Sequence, residues 1–178
     1  MTTRRRTIAR EIAIQALYQI EVHRNLERGV ADGAEVELDP TKVDDIESNE
    51  TRGFDVEEFI TAESDDSEVR AFCRSLCNGA INGMERSDRL IADIADNWDF
   101  DRIAALDKAI LRLAVYELTD STEVPPKVVI NEAIELAKKY STAPSGSFIN
   151  GILDRLMIRG EKEGGESGED EALWNFRK

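Results

Sequence analysis

The chain has 178 residues, of which 34% are charged, with one histidine, two cysteines and a net charge of −14. That length suits one domain able to bury a core without disulfides or a structural metal. No apolar run approaches the roughly 20 residues that a membrane helix requires, which predicts a cytoplasmic protein, and the acidic total argues at first against a nucleic-acid partner.

The charge is unevenly placed, and its placement matters more than its sum. The first ten residues carry Arg4, Arg5, Arg6 and Arg10 with no acid, whereas residues 27 to 70 hold 16 acids against 4 bases. From Thr7 to about His23, Ile8, Ile12, Ala16 and Ile20 recur at helical spacing, with Ala13 and Leu17 widening the stripe. Residues 25 to 53 hold Gly29, Gly33, Asp39-Pro40 and Gly53 among scattered acids and lack a sustained period, so they read as a long loop. A short helix from Phe54 to Ala62 follows. The whole acidic insert spans about residues 25–66.

Val69, Phe72, Cys73, Leu76, Cys77, Ala80, Ile81 and Met84 keep an unbroken i, i+3, i+4 pattern, which predicts a central buried helix. It continues, or restarts at Arg86, towards Trp98, and Asn97 to Asp101 supply the stop. Ile103 to Leu118 is nearly solid apolar and should be buried on most sides. Pro126 suits the first turn of the next helix, where its missing N–H leaves nothing unsatisfied, and Lys127 to Tyr140 continues it with Ile130, Ala133, Ile134 and Ala137 inward. Val128-Val129-Ile130 is too short to demand a sheet. After a break at Ser141 to Gly146, the residues Phe148, Ile149, Ile152, Leu153, Leu156 and Met157 form a last amphipathic helix ending at Gly160. Residues 161–178 read as a disordered acidic tail tipped by Leu173, Trp174 and Phe176. The fold class is all-α.

Little here suits catalysis. One histidine, no glycine-rich phosphate loop and no nucleophile elbow predict that the protein is not an enzyme and holds no cofactor. Cys73 and Cys77 share one apolar helical face, where free thiols act as small hydrophobes, and their spacing fits a disulfide poorly. Asp93, Asp96, Asp99 and Asp101 gather near a helix end without a calcium-loop glycine, so no metal is expected.

The basic start carries more information. Arg6 and Arg10 lie four apart, on the polar side of the first predicted helix, and with Arg4 and Arg5 they can face one phosphate backbone, although a solvated arm has the same composition. At the far end, Ser145 stands at an expected N-cap, and the first N–H groups of the last helix would form an anion site. Tyr140 and Phe148 flank that turn. An aromatic beside an anion site suits single-stranded RNA, although Phe148 fits a core position equally.

The wording of the sequence extends this reading. Ala9-Arg10-Glu11, Gln15-Ala16-Leu17-Tyr18, Asp107-Lys108-Ala109-Ile110-Leu111-Arg112 and Tyr116-Glu117-Leu118 resemble the transcription antitermination factor NusB family. Residues Pro126 to Lys138, then Ser145, Phe148-Ile149-Asn150-Gly151 and Ile152-Leu153-Asp154, are similar to its signature in the usual order. The resemblance covers about residues 4–24 and 68–158, leaving the insert and the tail outside. It implies about seven helices in two packed three-helix subdomains, forming one domain over residues 1–160. It implies binding of the boxA element of nascent rRNA transcripts as a heterodimer with NusE, a ribosomal protein, within an antitermination complex on RNA polymerase; a homodimer stays open. Arg4, Arg5, Arg6, Arg10, Tyr140, Ser145 and Phe148 match the RNA-contacting positions, and Tyr18 and Asp107 the protein-partner side. The turn from Thr142 to Ser147 departs from the family by lacking charge, and the acidic insert must either project away from RNA or compete with it for the arginines. A protein-only scaffold is the alternative. A third reading is a fragment of an enzyme, since a similar domain is fused to an rRNA cytosine methyltransferase.

Overall fold

The computed structural model describes residues 1–27, 30–31, 34–35, 54–95, 99–121 and 124–163. Asp96, Trp98, most of the acidic insert and the tail with Leu173, Trp174 and Phe176 lie outside them. Seven α-helices carry the fold: α1 Thr3–Glu27, α2 Val56–Glu63, α3 Ser67–Asn82, α4 Met84–Ile94, α5 Ala105–Thr119, α6 Pro126–Tyr140 and α7 Ser145–Glu163. One feature within the stretch read as a loop is regular, a two-residue ladder in which Val30–Ala31 pairs antiparallel with Ala34–Glu35.

Local chemistry sets the helix ends. Asp55 and Asp66 each accept two backbone N–H groups at the starts of α2 and α3, satisfying donors that a helix start otherwise leaves open. Gly83 ends α3, its N–H donating to the Gly79 carbonyl, and α4 restarts at Met84 rather than Arg86. Pro126 is the first residue of α6, as its fixed φ favours.

Helices α1, α2 and α3 pack into one trio, while α4, α6 and α7 gather around α5. Helix α5 also packs on α1 and α3, so the second group holds four helices and the two groups share one core. Ile60 of α2 is fully buried, which makes the end of the acidic insert part of the first trio. Helices α3 and α5 approach so closely that a Cβ on Gly79 would overlap the ring of Tyr116. Cys73 and Cys77 are buried and free, their sulfurs 4.0 Å apart. The hydrogen bond with Cys77, together with burial, pushes the Cys73 thiol up, so it stays protonated and unreactive.

Two inward faces differ from the sequence reading. In α1 the buried arc is centred on Ala9, Ala13, Ala16 and Leu17, and Ile8 is left exposed, because the helix is held between α3 and α5 rather than against a single neighbour. Helix α5 is buried on most sides as expected, but Asp107, Lys108, Arg112 and Glu117 are buried with its apolar residues.

Candidate nucleic-acid interface

The four N-terminal arginines lie on the first two and a half turns of α1, and the structure gives them different tasks. Arg4 is exposed. The Arg5 guanidinium bonds two acids at the start of α3, through Nε to Asp66 at 2.9 Å and through Nη1 to Glu68 at 2.6 Å. Arg6 is half-buried, its guanidinium carbon 5.9 Å from the Phe72 ring centroid. Arg10 is only 2% exposed.

This last placement corrects the sequence reading. Arg10 makes a bidentate pair with Glu117, Nε at 2.9 Å and Nη2 at 2.7 Å, and its Nη1 stands 3.7 Å from Glu132. A guanidinium so enclosed cannot turn to a phosphate without breaking its buried bidentate pair with Glu117, a cost of several kcal/mol. Arg10 is therefore a strut between α1 and α5.

Ser145 and Asp107 are corrected for a linked reason. Ser145 is 3% exposed and is the first residue of α7 rather than its cap. Its hydroxyl donates to Asp107 Oδ2 at 2.9 Å, while the Ser141 hydroxyl donates to Asp107 Oδ1 at 2.6 Å. The N–H groups of Ser145 and Phe148 are also engaged, by the carbonyls of Thr142 and Pro144. Asp107 thus engages the Ser145 hydroxyl that was expected to cap the helix, and its charge lies near the positive end of α7. Asp107, at 7% exposure, tethers the α6–α7 turn to α5.

Helix α6 lies along the outer face of the arginine-bearing turns. The Thr7 hydroxyl donates to Glu132 at 2.9 Å, and Lys139 Nζ donates to Glu11 at 2.6 Å. The Glu11 hydrogen bond holds the Lys139 ammonium above its ordinary pKa, keeping it charged. Lys139 also stands 4.8 Å over the Tyr140 ring, which is itself 38% exposed. Arg4 and Glu11, seven residues apart, share one face of α1 about 10 Å apart along the axis.

Phe148 is half-buried elsewhere, in an open groove of about 400 Å³ between α7 and the end of α4, with Pro144, Ile152, Arg155 and Ala95 beside it. Tyr18 is half-buried and packs against the core.

Sequence reasoning missed a second buried ion network. Arg112 donates to Glu21 at 2.6 Å and to both oxygens of Asp88 at 2.6 and 2.9 Å, while Lys108 reaches Glu21 at 3.2 Å. This joins α1, α4 and α5. Burial alone would raise the Glu21 carboxyl, but the hydrogen bonds and charges of Arg112 and Lys108 outweigh it and hold Glu21 below the ordinary carboxylate range. The signal available was four charged residues, Asp107, Lys108, Arg112 and Glu117, inside a helix otherwise fit for complete burial.

Among the described residues, no helix is long and apolar enough to cross a membrane. A model of the NusB family matches residues 7–157, a span that runs through the acidic insert. The transcription antitermination protein NusB of Symbiobacterium thermophilum is 41% identical over 166 residues, covering 93% of this chain and 95% of that relative. The solved T. maritima NusB is 31% identical and superposes with a TM-score of 0.64 over 87% of this chain and 91% of its own. A chain in the crystal structure of antitermination factors NusB and NusE in complex with dsRNA has the same fold, with a TM-score of 0.60 at 23% identity, over 86% of this chain and 96% of that one. The chain belongs to the NusB family.

Proposed function

We propose that the protein is a cytoplasmic antitermination factor that binds the boxA element of nascent rRNA transcripts together with NusE and joins the RNA polymerase antitermination complex. It acts by binding and catalyses nothing. The observation that carries the reading is the Glu11–Lys139 pair between α1 and α6, which sets Lys139 against the exposed ring of Tyr140, with the exposed Arg4 on the Glu11 face of α1. Cations at the edge of an aromatic platform fit a flexible single strand, because phosphates pair with the cations while a base stacks on the ring, each stack contributing about 1–3 kcal/mol. The likeness to a protein crystallised with NusE and RNA supports the same assignment. Phe148 in its groove can hold a further base, and Tyr18 is the residue we assign to the NusE contact.

Three arginines rather than four are available for phosphates, so a single strand should show a log–log salt slope of about −2. Filter binding with boxA RNA against a scrambled strand tests the reading, in parallel with a NusE pull-down with and without RNA. Preferential boxA binding that strengthens with NusE is expected. NusE capture with no RNA binding at any salt would instead identify a protein-only scaffold.

A further inference from the structure

The Arg5 contacts have a bearing on affinity. Its guanidinium is held by two separate carboxylates, Nε by Asp66 at 2.9 Å and Nη1 by Glu68 at 2.6 Å, and phosphate oxygens seek the same charged N–H groups. Asp66 has a second occupation, since its Oδ1 accepts the N–H groups of Glu68 and Val69 at the start of α3. It is stabilised there by the helix whether or not Arg5 is present. Arg5 can therefore leave without stranding Asp66, and Glu68, whose side chain is 55% exposed, passes into water. The pair is a surface one, of the weak kind that an incoming phosphate can displace.

Resting on the reading of this face as an RNA surface, we propose that Asp66 and Glu68 are affinity-setting residues. They occupy Arg5 as internal stand-ins for RNA phosphate, and RNA gains the Arg5 contact only by exchange with them. The basic arm is thus weaker towards RNA than its composition implies, and the carboxylates at the insert's C-terminal edge are the competitors.

The test is a double-mutant cycle on the full chain, with a single-stranded boxA RNA oligonucleotide as probe. Glu68→Gln should tighten binding about 2- to 5-fold at low salt, with the gain falling towards unity as salt rises. Asp66→Asn, which keeps the cap, should add a smaller gain. In an Arg5→Gln background both gains should disappear, and Glu57→Gln, which removes one charge from the separate pair with Arg74, should leave affinity unchanged. Thermal melting should place every variant within a few degrees of the parent. The inference is overturned if Glu68→Gln binds as the parent does, or if its gain persists without Arg5, because general repulsion would then account for it. A parent chain that binds no RNA removes both this inference and the reading beneath it, whereas a binding parent with an unresponsive Glu68 removes only the inference.

Discussion

Arg112 and Arg4 carry the same side chain and differ in nearly everything else. Arg112 is 2% exposed and spans Glu21 and Asp88, tying three helices together, whereas Arg4 stands in solvent on the first turn of α1. The protein uses arginine both as internal strut and as external contact. Arg10 shows how close the two uses lie, because one and a half turns of α1 separate an exposed guanidinium from one sealed against Glu117. Depth decides the role: a buried guanidinium must keep its partner, and an exposed one can exchange it.

The largest expected effect is at the central strut. Arg112→Ala leaves Glu21 and Asp88 without their main partner and should cost about 3–5 kcal/mol, lowering the midpoint of thermal unfolding by roughly 10 °C or more. Arg4→Gln should change stability by less than about 0.5 kcal/mol. Chemical denaturation of both variants checks the contrast, and a mild Arg112→Ala would break it.

Arg10 sharpens the comparison, because sequence and structure assign it to opposite sides. Arg10→Ala alone should destabilise by about 3 kcal/mol, the lower end of the range for a broken buried pair, since Thr7 still engages the neighbouring Glu132. The double variant Arg10→Met, Glu117→Leu removes both charges and should recover most of that loss. If Arg10 is only a strut, the folded double variant binds boxA RNA as tightly as the parent. Weakened RNA binding by a fully folded double variant would return Arg10 to the interface.

The pH dependence follows from Glu21. Its folded-state pKa is lowered, so its contribution to stability is complete above the unfolded carboxylate value of 4.5 and is lost as pH falls through the folded one. Acid titration of the unfolding free energy should therefore fall below about pH 4.5, and Glu21→Gln should flatten that limb while lowering stability at neutral pH. An unchanged acid limb in the variant would mean that the strut network is not what acid breaks.

The helices were legible because their apolar residues recur at 3.6-residue spacing, and the site was only partly legible because charge has no such marker. Ile149, Ile152, Leu153 and Leu156 identify the inner face of α7 directly, and all four are buried. Arg10 could not be placed in the same way, since a polar residue four positions after Arg6 reads as the same outer face until α5 supplies Glu117 from 107 residues away. The packing of Ser145 against Asp107 was hidden for a similar reason. A serine before an apolar run resembles a cap with free N–H groups beyond it, and only the tertiary arrangement brings Asp107 from α5 to its hydroxyl. Tyr140 ends α6, and its ring is 38% exposed there, where the periodic apolar pattern itself stops.

The smallest effect tests the exposed end of the comparison. Arg4→Gln removes one phosphate contact and should lower the magnitude of the log–log salt slope by about 0.7, from about −2 to near −1.3, with a modest loss of affinity at low salt that shrinks as salt rises. Tyr140→Ala should behave differently, because stacking does not depend on counterion release; affinity should fall at every salt concentration while the slope stays fixed. The two variants therefore separate charge from stacking on a single face. If Arg4→Gln left the slope unaltered while Lys139→Gln reduced it, the strand would follow α6 rather than α1, and the basic start of the chain would be a solvated arm after all.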